Sequence, residues 1–307
     1  MHDGLNEMLR EVAEEITRDA AEIEASADAK DDGAEPGPFG AAIATLDGTV
    51  LTAGAADTRF PIQSIAKVFA LERALCAIGD RVFERVGREP SGDPFNSIID
   101  LERTKGLPRN PFVNAGALVV VDMLVDCAVE RAETLVARQL GVDAVPLDDE
   151  VMASEEEGGD LNRAMMSFMR HHGNLKSEPD DVMEAYVRQC AISLDCGALA
   201  RAGLFLAHDA RVRGDDAADA EAQRMRKVLA LMMTCGHYDG SGDFALRVGL
   251  PAKSGVGGGI LAIVPDTAAI AVWSSNLDQH GNSILGVRAL EMIARRTGWS
   301  VFGRGFD

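Results

Sequence analysis

The chain has 307 residues, 49 acidic and 30 basic side chains, a formal charge of −19, and 47% hydrophobic residues spread along its length. That composition excludes a disordered acidic tail, allows one large domain or two modest ones, and supplies enough apolar surface for a real core. A surface so acidic repels phosphate backbones and anionic headgroups, and no basic patch interrupts it, so neither nucleic acid nor membrane is an expected partner.

Leu5, Met8, Leu9, Val12, Ile16, Ala20 and Ile23 recur at steps of three and four, which predicts an amphipathic helix over about 5–25. Asp28 to Pro38, rich in Asp, Gly and Pro, reads as a loop. Ala41 to Thr45 and Val50 to Ala53 flank Asp47-Gly48, a dipeptide suited to the positive φ angles of a tight hairpin. From Ile65 to Cys235 the pattern is mostly helical, with segments near 66–78, 113–129, 162–171, 181–190, 194–206 and 217–233. Strands return at 259–264 and 268–273, joined through Pro265-Asp266, before a closing helix near 285–296. The acidic stretches at 28–35 and 215–221 read as solvated surface. This order predicts an α+β fold: residues 1–63 with 250–307 form one mixed lobe, an antiparallel sheet flanked by the terminal helices. Residues 64–249 form a large helical lobe, and a cleft lies between the two.

The N-terminus, Met1 to Glu7, is acidic and lacks a secretory pattern, and no apolar run is long enough to span a bilayer, so a cytoplasmic protein is expected. Five cysteines (Cys76, Cys127, Cys190, Cys196, Cys235) form no CxxC pair and read as reduced, buried thiols. The gap from Cys190 to Cys196 does not suit the usual zinc spacings, so neither a metal nor any cofactor is expected.

Ser64 and Lys67 stand one helical turn apart in Phe60-Pro61-Ile62-Gln63-Ser64-Ile65-Ala66-Lys67-Val68-Phe69. A serine hydroxyl needs an adjacent base to become a nucleophile, and a lysine three residues on serves if its apolar surroundings lower its pKa. Alone, S-x-x-K also reads as an N-cap serine followed by a solvated lysine. Lys253-Ser254-Gly255 heads a strand near the other end of the chain, close to the K-T-G that accompanies S-x-x-K in penicillin-recognising enzymes. An edge strand there would present a cation, a hydroxyl and an N–H for an oxyanion hole to the cleft. The glycines Gly255, Gly257, Gly258 and Gly259 read equally as a flexible turn or bulge.

Further strings lie between those two. In order they are Asn110-Pro111-Phe112-Val113-Asn114-Ala115-Gly116-Ala117, Ser154-Glu155 through Asn162, Tyr186 through Cys190, and Cys235-Gly236-His237-Tyr238-Asp239; Gly249-Leu250-Pro251-Ala252-Lys253-Ser254-Gly255-Val256 completes the series. Over about residues 39 to 290 the sequence resembles the serine-dependent glutaminases, a family similar in fold to β-lactamases and transpeptidases that converts L-glutamine and water to L-glutamate and ammonia. The resemblance implies a catalytic Ser64, Lys67 and Tyr238, with Ser64 attacking the side-chain amide, Lys67 helping to remove its proton, and Tyr238 relaying a proton to the departing ammonia. The backbone N–H groups of Ser64 and Val256 would form the oxyanion hole. Gln63, Asn114, Glu155, Asn162 and Tyr186 would hold the substrate: the α-ammonium wants a carboxylate such as Glu155, the α-carboxylate wants amide and hydroxyl donors. Both tyrosines of the chain fall at family positions. A homodimer or homotetramer is the expected assembly.

One position departs from the family. A tyrosine about a dozen residues before the aromatic-glycine pair, here Phe39-Gly40, reaches the substrate in relatives, whereas Ala27 to Gly33 contains none. Losing one hydroxyl contact to a charged substrate costs about 1.5–3 kcal/mol unless Lys30 or a water replaces it. Two other functions share the motifs: a β-lactamase or penicillin-binding acyl hydrolase, and a silent amino-acid-binding relative.

Overall fold

A computed structural model describes residues 2–27, 29, 35–92, 97–208 and 216–303, side chains at 155–157, 216 and 217 excepted. Helix α1 (His2–Ala25) buries Leu9, Val12, Ala13, Ile16 and Ala20, the stripe that its three-and-four spacing predicts. Strands β1 (Phe39–Thr45) and β2 (Val50–Gly54) then form an antiparallel hairpin. Its turn uses one left-handed residue, Gly48 at φ 88°, rather than two. The carboxylate of Asp47 accepts from the Thr45 hydroxyl (2.6 Å) and the Thr49 N–H (3.1 Å), closing the loop from the side chain.

β3 (Phe60–Pro61) leads into a 3₁₀ turn (Gln63–Ile65) and α2 (Ala66–Ile78). There follow α3 (Ile99–Arg103), α4 (Asn114–Asp126), α5 (Ala132–Leu140), α6 (Asp149–Glu157), α7 (Asp160–His171) and α8 (Pro179–Cys190). β4 (Ser193–Leu194) pairs with β3 in a separate two-stranded ladder. Leu194 therefore belongs to a strand, not to the predicted helix; α9 (Cys196–Gly203) starts after Asp195, whose carboxylate caps it by accepting from the Ala198 N–H at 2.7 Å. α10 (Asp216–Cys235) and α11 (Ser241–Arg247) complete the helical part. α10 takes in the acidic stretch expected only as surface. The predicted helix over 113–129 stops at Asp126, where the chain turns through Ala128 at φ 50°.

β5 (Ala252–Ser254), β6 (Gly259–Val264) and β7 (Ala268–Ser274) join the first hairpin in one antiparallel sheet of order β2-β1-β7-β6-β5, before α12 (Ile284–Thr297). The two ends of the chain meet at β1 and β7, in a register running from Phe39↔Ser274 to Thr45↔Ala268. Alternation divides the side chains between two cores. Ala41, Ile43, Ile260, Ile270 and Val272 pack with α1 and α12, while Ala42, Ala44, Leu261, Ile263 and Ala271 pack with the helical part, α9 nearest. Because both faces are covered, β6 and β7 read as continuous apolar runs. Edge strand β5 lies against the 3₁₀ turn that carries Ser64. Among the described residues no helix is long and apolar enough to cross a membrane. Cys76 and Cys127 are exposed, contrary to the expectation of buried thiols, because α2 and α4 turn those ends to solvent; Cys190, Cys196 and Cys235 are buried.

Candidate active site

Ser64 and Lys67 are both buried, Lys67 to 1% exposure. The chain reaches Ser64 through Gln63 at φ 48°, a left-handed conformation uncommon for a residue with a Cβ and costing on the order of 1 kcal/mol. Tyr238 stands at φ 52° and likewise opens a short 3₁₀ turn (Tyr238–Gly240). The two bent segments bring these side chains together. The Tyr238 hydroxyl lies near Ser64 and Ser254, and although both favour its ionised form, burial outweighs them and pushes the phenol up to about 12.

Lys67 is oriented by two acceptors. Its Nζ donates to the Phe112 carbonyl (3.2 Å) and to Oδ1 of Asn114 (2.7 Å). Asn110 shapes that approach: its Oδ1 accepts from the N–H groups of Phe112 (2.9 Å) and Val113 (3.1 Å), turning the chain into α4. Asn114, predicted to hold substrate, is thus bound to Lys67 through its oxygen, while its Nδ2 lies 3.5 Å from Oδ1 of Asn162. Asn162 and Tyr186 are buried on α7 and α8, which pack against each other and against α4. The side chain of Glu155 lies outside the described residues, as do 28 and 30–33 of the segment where the family tyrosine is missing.

Lys253 departs from its expected position. It does not face the cleft: it is fully buried, donates to the carbonyls of Gly236 (3.1 Å) and Ser254 (2.6 Å), and sits over the Tyr238 ring with Nζ 4.4 Å from the centroid. Burial first, then repulsion from Lys67, lowers its pKa well below the ordinary lysine value. His237, stacked on Phe244 at 3.6 Å, is likewise held neutral, by burial and then by Lys253.

The glycine run after Ser254 is a close-packing device. A Cβ on Gly255 would lie 2.5 Å from the Ile62 carbonyl, and one on Gly257 2.2 Å from that of Pro61. Only bare backbone fits between this loop and the Ser64 segment, which brings Val256 beside it. Trp273 fixes the loop from behind, stacking on Phe60 at 5.7 Å and donating to the Gly257 carbonyl at 2.9 Å. Val256 is 38% exposed, with its Cγ1 near Gly281. A cavity of about 130 Å³ opens alongside, between Phe112, Val113, Cys235, Tyr238 and His280; neither Ser64 nor Lys67 lines it. Sequence reasoning missed Asn282 and Asp278, which stand behind Ser254. They lie in a loop with no periodic signal. Among the described residues no three His, Cys, Asp or Glu side chains gather as metal ligands.

Known proteins resemble this chain in sequence and in shape. A profile of the glutaminase family matches residues 32–302. A glutaminase from Agrobacterium fabrum is 51% identical over 274 residues, spanning 88% of this chain and 89% of its own. A Bacillus glutaminase crystallised in 4.3 M NaCl superposes with a TM-score of 0.82 at 31% identity, over 96% of this chain and 99% of the other. A Bacillus subtilis glutaminase, solved as the covalent complex with 5-oxo-L-norleucine formed from 6-diazo-5-oxo-L-norleucine, superposes with a TM-score of 0.76 at 29% identity, over 96% and 98% of the two chains. On this match of sequence and fold, the chain belongs to the glutaminase family.

Proposed function

We propose that Ser64 is the nucleophile of a glutaminase reaction and Lys67 the base that activates it. As a family member the chain is an amidohydrolase of linear amides, converting L-glutamine and water to L-glutamate and ammonia. The observation that carries the residue roles is the pair of acceptors on Lys67. A neutral amine has two N–H protons. With those directed at Phe112 and Asn114, the lone pair is left for the Ser64 proton one turn away.

In the acylation step the Ser64 oxygen bonds to the side-chain carbonyl carbon of glutamine as its proton passes to Lys67. The carbonyl oxygen becomes an oxyanion. The Ser64 N–H, in the opening turn of a helix and so without a partner within it, and the Val256 N–H are the donors assigned to it. The C–N bond then breaks while Tyr238, as a phenol that keeps its proton at neutral pH, supplies one to the departing nitrogen. In the second half water attacks the acyl carbon and gives a proton to the Tyr238 phenolate, the Ser64 ester bond breaks, and protonated Lys67 returns its proton to the Ser64 oxygen as glutamate leaves. Gln63, Asn114, Asn162 and Tyr186 are assigned to the substrate, with Glu155 as counter-charge of its α-ammonium. Residues 1–63 with 250–307, and 64–249, act as two lobes of one catalytic unit. Free cysteines are consistent with a cytoplasmic enzyme, and we assign it a homodimer or homotetramer.

The test is covalent capture. Reaction with 6-diazo-5-oxo-L-norleucine should add the 5-oxo-norleucyl group to the peptide holding Ser64 and end ammonia release, and Ser64→Ala should take up none. Labelling elsewhere with Ser64 untouched would overturn the assignment.

A further inference from the structure

The loop after β5 is tied to β7 by a line of hydrogen bonds that ends on the Val256 N–H. Gly255, Val256, Gly257 and Gly258 form a turn in which the Gly258 N–H donates to the Gly255 carbonyl at 3.0 Å. Gly255 lies against Ile62 and Gln63, the residues that lead into Ser64. In a trans peptide the C=O and the N–H point to opposite sides. The unit joining Gly255 to Val256 therefore turns its carbonyl inward, toward Gly258, and its N–H outward. Among the described residues nothing accepts from that N–H, which leaves it for a ligand. The unit joining Gly257 to Gly258 is held at both ends: its N–H makes the turn bond, and its carbonyl accepts from Trp273 Nε1 at 2.9 Å. An indole N–H can only donate, so the direction of the whole line is set at Trp273. It runs from the indole through two peptide units to Val256. β7 pairs Trp273 with Gly40 and Gly259, its ring stacks on Phe60 with the planes 11° apart, and the residue is 9% exposed, so the donor is fixed and bulk water has little access to it.

We propose that Trp273 is a positioning residue for the oxyanion: its indole N–H orients the two peptide units that end in the Val256 N–H and polarises them toward the substrate oxygen. A peptide whose carbonyl accepts a hydrogen bond becomes a better donor at its own N–H, and along a chain the effects reinforce one another. The far end of the line gains most when the substrate oxygen carries negative charge, so the contribution falls on the transition states of both half-reactions rather than on binding of the neutral amide. This inference rests on the assignment of the Val256 N–H to the oxyanion.

The experiment removes the donor and keeps the ring. Replacing Trp273 by β-(3-benzothienyl)alanine puts sulfur where the indole N–H stood, and Trp273→Phe removes the N–H together with part of the ring. In steady-state glutamine hydrolysis both should lower kcat about tenfold, less than the roughly 10²–10³-fold lost with a whole oxyanion donor, and hold KM within about twofold. The sulfur variant should unfold near the wild-type temperature, because its packing is unchanged. Wild-type kcat in the sulfur variant, or a raised KM with kcat unchanged, would overturn the proposal whether or not Trp273→Phe folds. Val256→Pro tests the underlying reading separately. It removes the N–H at the second position of a turn, which proline suits, and should cost about 10²-fold or more in kcat. Wild-type turnover in Val256→Pro would overturn the oxyanion assignment itself, whereas loss there beside wild-type kcat in the sulfur variant would overturn only the role of Trp273.

Discussion

Ile43 and Ile270 lie opposite one another across β1 and β7, both fully buried, and meet hydrocarbon from α1 and α12. At the other edge of the same sheet, β5 faces the Ser64 segment, and the buried groups there are Lys67, Lys253, Ser254 and His237, beside the half-buried Tyr238. The centre of the sheet is regular and apolar. The seam at its edge holds two left-handed non-glycine residues, two buried lysines and a glycine run with no room for a Cβ. The first region stabilises the fold, and the second carries groups whose burial opposes folding but tunes their chemistry.

Substitutions should therefore separate activity from stability according to region. Ser64→Ala should cut ammonia release by about 10⁴-fold or more without lowering the unfolding temperature; residual turnover near wild type would erase the distinction. Lys67→Met should lower kcat by roughly 10²–10⁴-fold and leave stability equal or higher, because a buried amine is exchanged for a thioether. At the centre the order reverses. Ile270→Ala should cost about 2–5 kcal/mol in urea unfolding, with kcat per folded molecule unchanged.

The seam also has a pH signature. The folded pKa of His237 is depressed, so below about pH 6.5 the unfolded chain binds a proton that the folded one refuses, and stability falls as pH drops. Lys253 acts in the same sense up to about pH 10.5, its folded pKa also being depressed, so stability rises with pH across that window. Each contributes a slope of at most about 1.4 kcal/mol per pH unit, and His237→Gln or Lys253→Met should remove its share from unfolding midpoints measured between pH 5 and 10. Unchanged slopes would mean that these groups titrate alike in both states. The smallest effect expected is that of salt: with a charge of −19, screening relieves self-repulsion, and activity should persist in molar NaCl.

Much of this division was legible from residue order. Helix α2 was predicted over its observed span, and β6, β7 and α12 to within a residue or so at each end, because each has a single dominant period or an unbroken apolar run. The short elements β3, β4, α3, α5, α6 and α11 were not, since two to nine residues carry too little pattern to outweigh their surroundings. Among the site residues, Ser64 and Lys67 could be linked by helical spacing, whereas Asn114, Asn162, Tyr186 and Tyr238 were reached only through whole strings shared with a family.

The sequence by itself determined the longer elements, the acidic surface and the chemical types of the groups proposed to react, because periodicity, charge and functional-group chemistry are local properties. Tertiary structure decided which way those groups point. Lys253 was legible as a cation beside a strand, but only packing could turn it from the cleft onto the Tyr238 ring. Asn282 had no sequence signal at all until folding set its amide between Asp278 and Ser254. Hydrogen-bond direction follows from which donors and acceptors a fold makes neighbours, and residues 28 positions apart become neighbours only when the chain has closed on itself.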